Sequence, residues 1–138
     1  MIKEIRSYLK AQILSVDSDL NENDSAFYLD DIGETLIENS YQISLNNITN
    51  DLRTDFREDA IEAVVSIFGY GYQDEINEYD VLLDKALCIR NNIIDLKNFS
   101  GVEKITNIES VGINSTQLTG DDNGFKIDIN LTIRFAYF

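Results

Sequence analysis

Proton transfer, nucleophilic attack and metal binding each need particular side chains, and this 138-residue chain offers few of them. It has no histidine and one cysteine, Cys88, so neither the commonest proton carrier nor a thiol with an imidazole partner is available. A single thiol makes no internal disulfide, and without histidine no zinc site of the usual kind can be assembled. What remains is carboxylate. Asp30-Asp31 and Asp121-Asp122 have the composition of an acid–base pair or a magnesium site, but such adjacency arises by chance among 25 acidic residues. Asp17-x-Asp19-x-Asn21 resembles the first half of a calcium loop. Its sixth position is Glu22, where glycine makes the sharp turn, and its twelfth is Tyr28, where a bidentate glutamate belongs. A helix stop followed by a solvated loop is the better reading. Gly69-Tyr70-Gly71 lacks the third glycine and the later acid of a dinucleotide site and reads as a strand-to-helix turn with exposed tyrosines. Cys88, between Leu87 and Ile89, reads as a small buried hydrophobe. No catalytic, cofactor or metal residue is assigned, and no enzyme activity is expected.

The formal net charge of −14 sets up a field that repels phosphate backbones and anionic lipid surfaces. Sequence-independent nucleic-acid binding is therefore not expected. No apolar run approaches the roughly 18 to 20 residues of a membrane span, and MIKEIRSYLK alternates charge with apolar residues instead of forming a leader core. No membrane association is expected, and the chain is expected to remain in a cytoplasm-like compartment. Its length fits one domain, and 43% hydrophobic content supplies a core without staples.

Helical spacing of Ile2, Ile5, Leu9, Ile13 and Val16 predicts an amphipathic helix over 2–16, stopped by the Asp- and Asn-rich residues 17–24. Residues 27–39 are irregular, with one short helical turn near 34–37. Tyr41, Ile43 and Leu45 alternate with polar residues as in a strand. Asn46-Asn47 and the charged residues 51–59 read as a connection. Residues 60–72 are apolar at both parities, as in a central strand covered on both faces. Helical spacing returns over 74–97, with acids early and Lys85, Arg90 and Lys97 later, matching the helix dipole. Val102, Ile105, Ile108, Val111 and Ile113 alternate with one slip, which predicts a bulge or two short strand pieces. The turn-forming residues 119–124 then lead into the last strand. The order helix, strand, strand, helix, strand, strand implies one α+β domain over 1–138: a mostly antiparallel sheet of about four strands with two main helices on one face.

The last stretch, GFKIDINLTIRFAYF, is apolar at every odd position from Phe125 to Tyr137. At about 3.3 Å per residue it spans roughly 45 Å, far beyond the usual strand. On sequence grounds it overreaches its own sheet and leaves an edge that a neighbouring subunit would pair; the simpler alternative is a long strand with a frayed tip.

The N-terminal amphipathic helix, ENSYQISL entering a strand, AVVSIFGYGY followed by the acidic-capped DEINEYDVLLDKALCIRNNI, and the closing IDINLTIRFAYF together resemble the tail terminator (tail completion) proteins of long-tailed bacteriophages. The resemblance covers nearly the whole chain except residues 17–31, and rests on pattern and order. It implies an α/β fold and a homo-oligomeric ring, usually a hexamer, that caps the tail tube, stops its polymerisation and presents the surface to which the filled head joins. Partners would be the tail tube protein and a head–tail connector, within the virion, with genome DNA passing through the lumen without specific binding. No catalytic residues belong to that family. Exposed aromatics and mixed charge suit subunit contacts, so the candidate interface residues are Tyr70, Tyr72, Arg53, Arg57, Arg134, Phe135, Tyr137 and Phe138. The alternatives are a head–tail connector, neck or baseplate protein of a tailed phage, a carboxylate-only enzyme, and an acidic decoy of a basic partner.

Overall fold

The computed structural model describes residues 1–22, 40–53, 56–70, 76–118 and 124–136. Along the chain these form α1 (Ile2–Val16), β1 (Asn21–Glu22), β2 (Ser40–Arg53), β3 (Phe56–Tyr70), α2 (Ile76–Ile94), α3 (Leu96–Phe99), β4 (Ile105–Leu118) and β5 (Gly124–Ala136). The fold is α+β, with a five-stranded mixed sheet in the order β1-β2-β3-β5-β4. Only the two-residue β1 runs parallel to its neighbour, at Ser40 and Tyr41; the remaining pairings are antiparallel. That short strand and the one-turn α3 carry no periodic signal and were not predicted.

One face of the sheet is apolar and lies under the helices. Cross-strand rows such as Ile43, Val65, Ile129, Ile113 and Tyr41, Ile67, Ile127 put side chains of one parity on that face. Ile5, Leu9 and Ile13 of α1 and Ala86, Ile89 and Ile93 of α2 close over them in a single cluster. Steps of three and four place each set on one helical stripe. Tyr8 joins the two helices: its hydroxyl donates to the Ile93 carbonyl at 2.6 Å near the end of α2. The helical run predicted over 74–97 breaks at Asp95, whose carboxylate accepts from the Lys97 N–H and restarts the chain as α3.

Three expectations are corrected. Asn46-Asn47 and, among the described residues, 51–53 and 56–59 are strand and not a connection: β2 runs on through Asn46-Asn47 to Arg53 and pairs with β3 from Phe56. The register shifts between Asn46 and Ile48, and Asn47 takes φ 50°, a left-handed conformation that asparagine tolerates, so it is absorbed as a bulge. Its side-chain amide donates to Glu62 Oε2 across the ladder, and the strand resumes. The second correction concerns the last strand. β5 is not an edge: it pairs with β3 from Glu58↔Ala136 to Tyr70↔Gly124 and with β4 from Ile105↔Phe135 to Leu118↔Gly124. It does not outreach its sheet, because β2, β3 and β4 are 14, 15 and 14 residues long. The strand with the longest unbroken apolar alternation takes the position where both edges are paired. Third, Cys88 is exposed. Apolar neighbours in sequence lie about 100° away around a helix, and the buried stripe of Ala86, Ile89 and Ile93 passes it by.

The predicted slip in β4 is present as two register shifts, at Ile105/Asn107 and Ser110/Gly112. The helical turn near 34–37 and the acidic pairs Asp30-Asp31 and Asp121-Asp122 lie outside the described residues. No helix among the described residues is long and apolar enough to cross a membrane.

Candidate assembly surface

The face of the sheet opposite the helices carries the polar residues of each strand. One row crosses it in register, Gln42, Ser66, Asp128 and Asn114. The Ser66 hydroxyl donates to Asp128 Oδ1 at 2.6 Å, and Lys126 Nζ stands 3.5 Å from Asp128 Oδ2. Gln42, Ser66 and Asp128 are all buried, and Gln42 Oε1 has no hydrogen-bond partner. In the next row Asn130 donates its amide to Asn114 Oδ1 at 2.6 Å, and further along Arg134 lies 3.6 Å from Glu109. A serine beside a carboxylate has the parts of a nucleophile and base, but here the hydroxyl is buried and committed to Asp128. Among the described residues, no group of three or more acidic or thiol side chains is placed to hold a metal.

Asp17, the first residue of the calcium-loop resemblance, uses its carboxylate within the fold. Oδ1 accepts the Asp19 backbone N–H at 3.0 Å, and Oδ2 receives Lys85 Nζ at 2.6 Å. The Lys85 hydrogen bond, helped by the Asp19 amide, holds this carboxyl below the ordinary value. The same contact ties the end of α1 to α2. Gly69 lies within β3 rather than in a turn, and the Phe125 ring passes where a side chain at Gly69 would be.

The predicted interface residues divide by position. Phe135 is buried in the helix-covered core and is a packing residue, not a surface anchor. Arg134 points to the opposite face, beside Glu109. Arg53 and Arg57 lie at the end of the β2–β3 hairpin, where Arg53 is opposite Phe56 and Arg57 opposite Leu52. The side chains of Arg53, Arg57 and Tyr70, and Tyr72, Tyr137 and Phe138 as a whole, lie outside the described residues.

The sequence reading missed the edges. Among the described residues, β4 is outermost on one side, and on the other β1 lies beside the start of β2. Arg6 of α1 donates to the Ile43 carbonyl at 3.1 Å, just beyond β1. Among the described side chains, Ile48 on β2 and Val111 on β4 are large exposed hydrophobics at or beside a bulge. Their spacing looked like strand periodicity, and only the strand order reveals that they stand at the rim.

Neither the protein-family models nor the curated proteins compared with this chain include a match to it.

Proposed function

We propose that this chain is a structural subunit of a tailed-phage particle, a tail terminator that assembles as a ring on the tail tube, stops tube growth and offers the surface for head attachment. The observation that carries the reading is the sheet's reach beyond its helical cover. A 15-residue strand such as β3 spans about 50 Å, whereas the 15 residues of α1 span about 22 Å. Ile48 lies on the helix-side face opposite the buried Ile61 and is itself 55% exposed, so on β2 the covering layer ends there. Among the described residues, the β2–β3 ladder continues past Glu58, the last β3 residue paired with β5, to Arg53↔Phe56. Paired backbone that runs past the rest of its sheet suits a subunit whose neighbours complete it.

The architecture, an α+β unit with a mostly antiparallel sheet backed by two main helices, is the one expected from the order of elements in the sequence and is compatible with the mixed α and β fold that the resemblance implies. The ring, tube and connector partners and the virion location rest on that resemblance. In a ring, a chain of net charge −14 would present DNA with a repelling lumen, which suits passage without binding.

The test is co-assembly. The purified chain is added to polymerising tail tube protein, and tube lengths and ends are recorded by negative-stain microscopy. Ring-capped tubes that stop growing are the expected result. Tubes that grow on uncapped, with the chain retained on tailless heads, would move the assignment to a connector or neck protein.

A further inference from the structure

We infer that neighbouring copies meet through helix faces of opposite charge, the basic flank of α1 in one subunit docking on the acidic outer face of α2 in the next. This rests on the ring reading above and names the surfaces that meet.

Charge is unevenly divided between the two main helices. The chain has 11 basic and 25 acidic residues, yet α1 carries Lys3, Arg6 and Lys10 against one acid, Glu4. Steps of three and four put these cations on one stripe, and all three are exposed. Arg6 reaches the Ile43 carbonyl of β2 and Lys10 pairs with Glu22 of β1 at 3.1 Å, whereas Tyr8 reaches α2, so the stripe lies on the flank of α1 turned away from α2. A backbone carbonyl does not neutralise a guanidinium, and Arg6 keeps its charge. α2 has the opposite character. Glu78, Asp80 and Asp84, all exposed, precede its first cation, Lys85, and that lysine is held by Asp17 within the subunit.

The patches match in length and in kind. At about 1.5 Å per residue, Lys3 to Lys10 covers roughly 10 Å and Glu78 to Asp84 roughly 9 Å. Each patch also shows an apolar side chain that docking would remove from water: Ile2 at the start of the basic stripe, 36% exposed, and Val81, 65% exposed and three residues from both Glu78 and Asp84. Apolar contact bordered by complementary charge is how specific interfaces are built.

The occupant follows from the signs. Two copies of a chain at −14 repel over most of their surfaces and can approach where a positive patch meets a negative one, and this chain supplies both. The patches are different surfaces of one molecule, so a copy that uses its α1 patch keeps its α2 patch for the next. Such a head-to-tail contact closes into a ring.

The test uses full-length charge-reversed variants, Lys3→Glu with Lys10→Glu on the α1 patch and Asp80→Lys with Asp84→Lys on the α2 patch. Mass in solution is measured at about 0.15 M salt, where the Debye length of about 8 Å mutes long-range repulsion and leaves pairs in contact. The wild-type chain is expected to assemble, and each variant alone, with like charges facing, to remain near the monomer mass of 15.7 kDa. Mixed in equal amounts, the two variants should regain the wild-type mass, because each reversed patch then meets an opposite one; a variant that had merely unfolded would not be rescued. Lys3→Glu and Val81→Lys form a second pair that leaves Lys10 with Glu22, should the first disturb the fold. Variants that assemble alone as the wild type does put the contact elsewhere, and the inference falls while the ring stands. Folded variants that stay monomeric when mixed overturn it as well. Assembly that stops at a dimer, with mixing still required of the variants, keeps the helix contact and overturns the ring. A wild-type chain that stays monomeric overturns the contact, and capping of tubes in the co-assembly test then decides the tail-terminator reading separately.

Discussion

Replacing Gly69 with alanine adds one methyl group to β3 at the point where the Phe125 ring crosses it. The new Cβ would lie 2.7 Å from Cζ and 3.1 Å from Cε1 of Phe125, and 3.0 Å from Cδ2 of Leu82. Ordinary contact begins at 3.4 Å, so the ring must retreat by about 0.7 Å. It has little room: Phe125 is fully buried, and the Tyr79 ring stands 5.6 Å away between centroids. Overpacking of this kind costs about 1–3 kcal/mol, against the ~0.5–1 kcal/mol that alanine ordinarily gains over glycine in a strand. The expected net loss is about 1–2 kcal/mol, read in equilibrium urea unfolding as a midpoint lowered by roughly 0.5–1 M. Gly112→Ala is the matched control. Nothing lies within 4 Å of its Cβ, so the same substitution should raise stability by about 0.5–1 kcal/mol. In a Phe125→Leu background, which removes the ring edge, the Gly69→Ala penalty should largely disappear. The steric argument is refuted if Gly69→Ala is as stable as wild type, or if its cost is unchanged when Phe125 is leucine.

Lys85→Met should cost about 1 kcal/mol at pH 7, since it removes the ion pair between α1 and α2. Because the folded carboxyl of Asp17 is held below its usual 3.8, this contribution is present above that pH and is lost as pH falls through the folded value. The gap between wild type and variant in acid titrations of stability should close there. Burial, and secondarily Asp95, pushes the Tyr8 hydroxyl up to about 12, above the ordinary 10.0. Its share of stability is complete below pH 10 and is lost as pH rises towards about 12, so Tyr8→Phe should flatten the alkaline slope of stability while costing about 1 kcal/mol at neutral pH. Ser66→Ala leaves the buried Asp128 short of a donor and should destabilise by about 1–3 kcal/mol in the same urea assay. Phe135→Ala should cost about 3–5 kcal/mol, as a core residue does, and a surface anchor at that position would show almost no loss.

The sequence alone determined the periods. Steps of three and four in 2–16 and 74–97, alternation in 41–45 and 125–137, and the run apolar at both parities in 60–72 reappear among the described residues as helices and strands, because the apolar surface that must leave water is written at fixed spacing. The slip in β4 was legible for the same reason, since an inserted residue breaks alternation visibly. Only the tertiary structure decided which strand neighbours which. Periodicity describes the two faces of a strand and says nothing about its two edges, so a long apolar strand at the end of the chain looked like an unpaired rim. In the fold, β3 and β4 take up both of its edges. The continuation of β2 through Asn47 was equally illegible, because turn chemistry in the sequence is the same whether the chain reverses there or bulges and continues. The exposed apolar residues belong with these: Ile48 and Val111 read as ordinary strand positions in the sequence, and among the described residues it is the sheet order that puts both on outer strands.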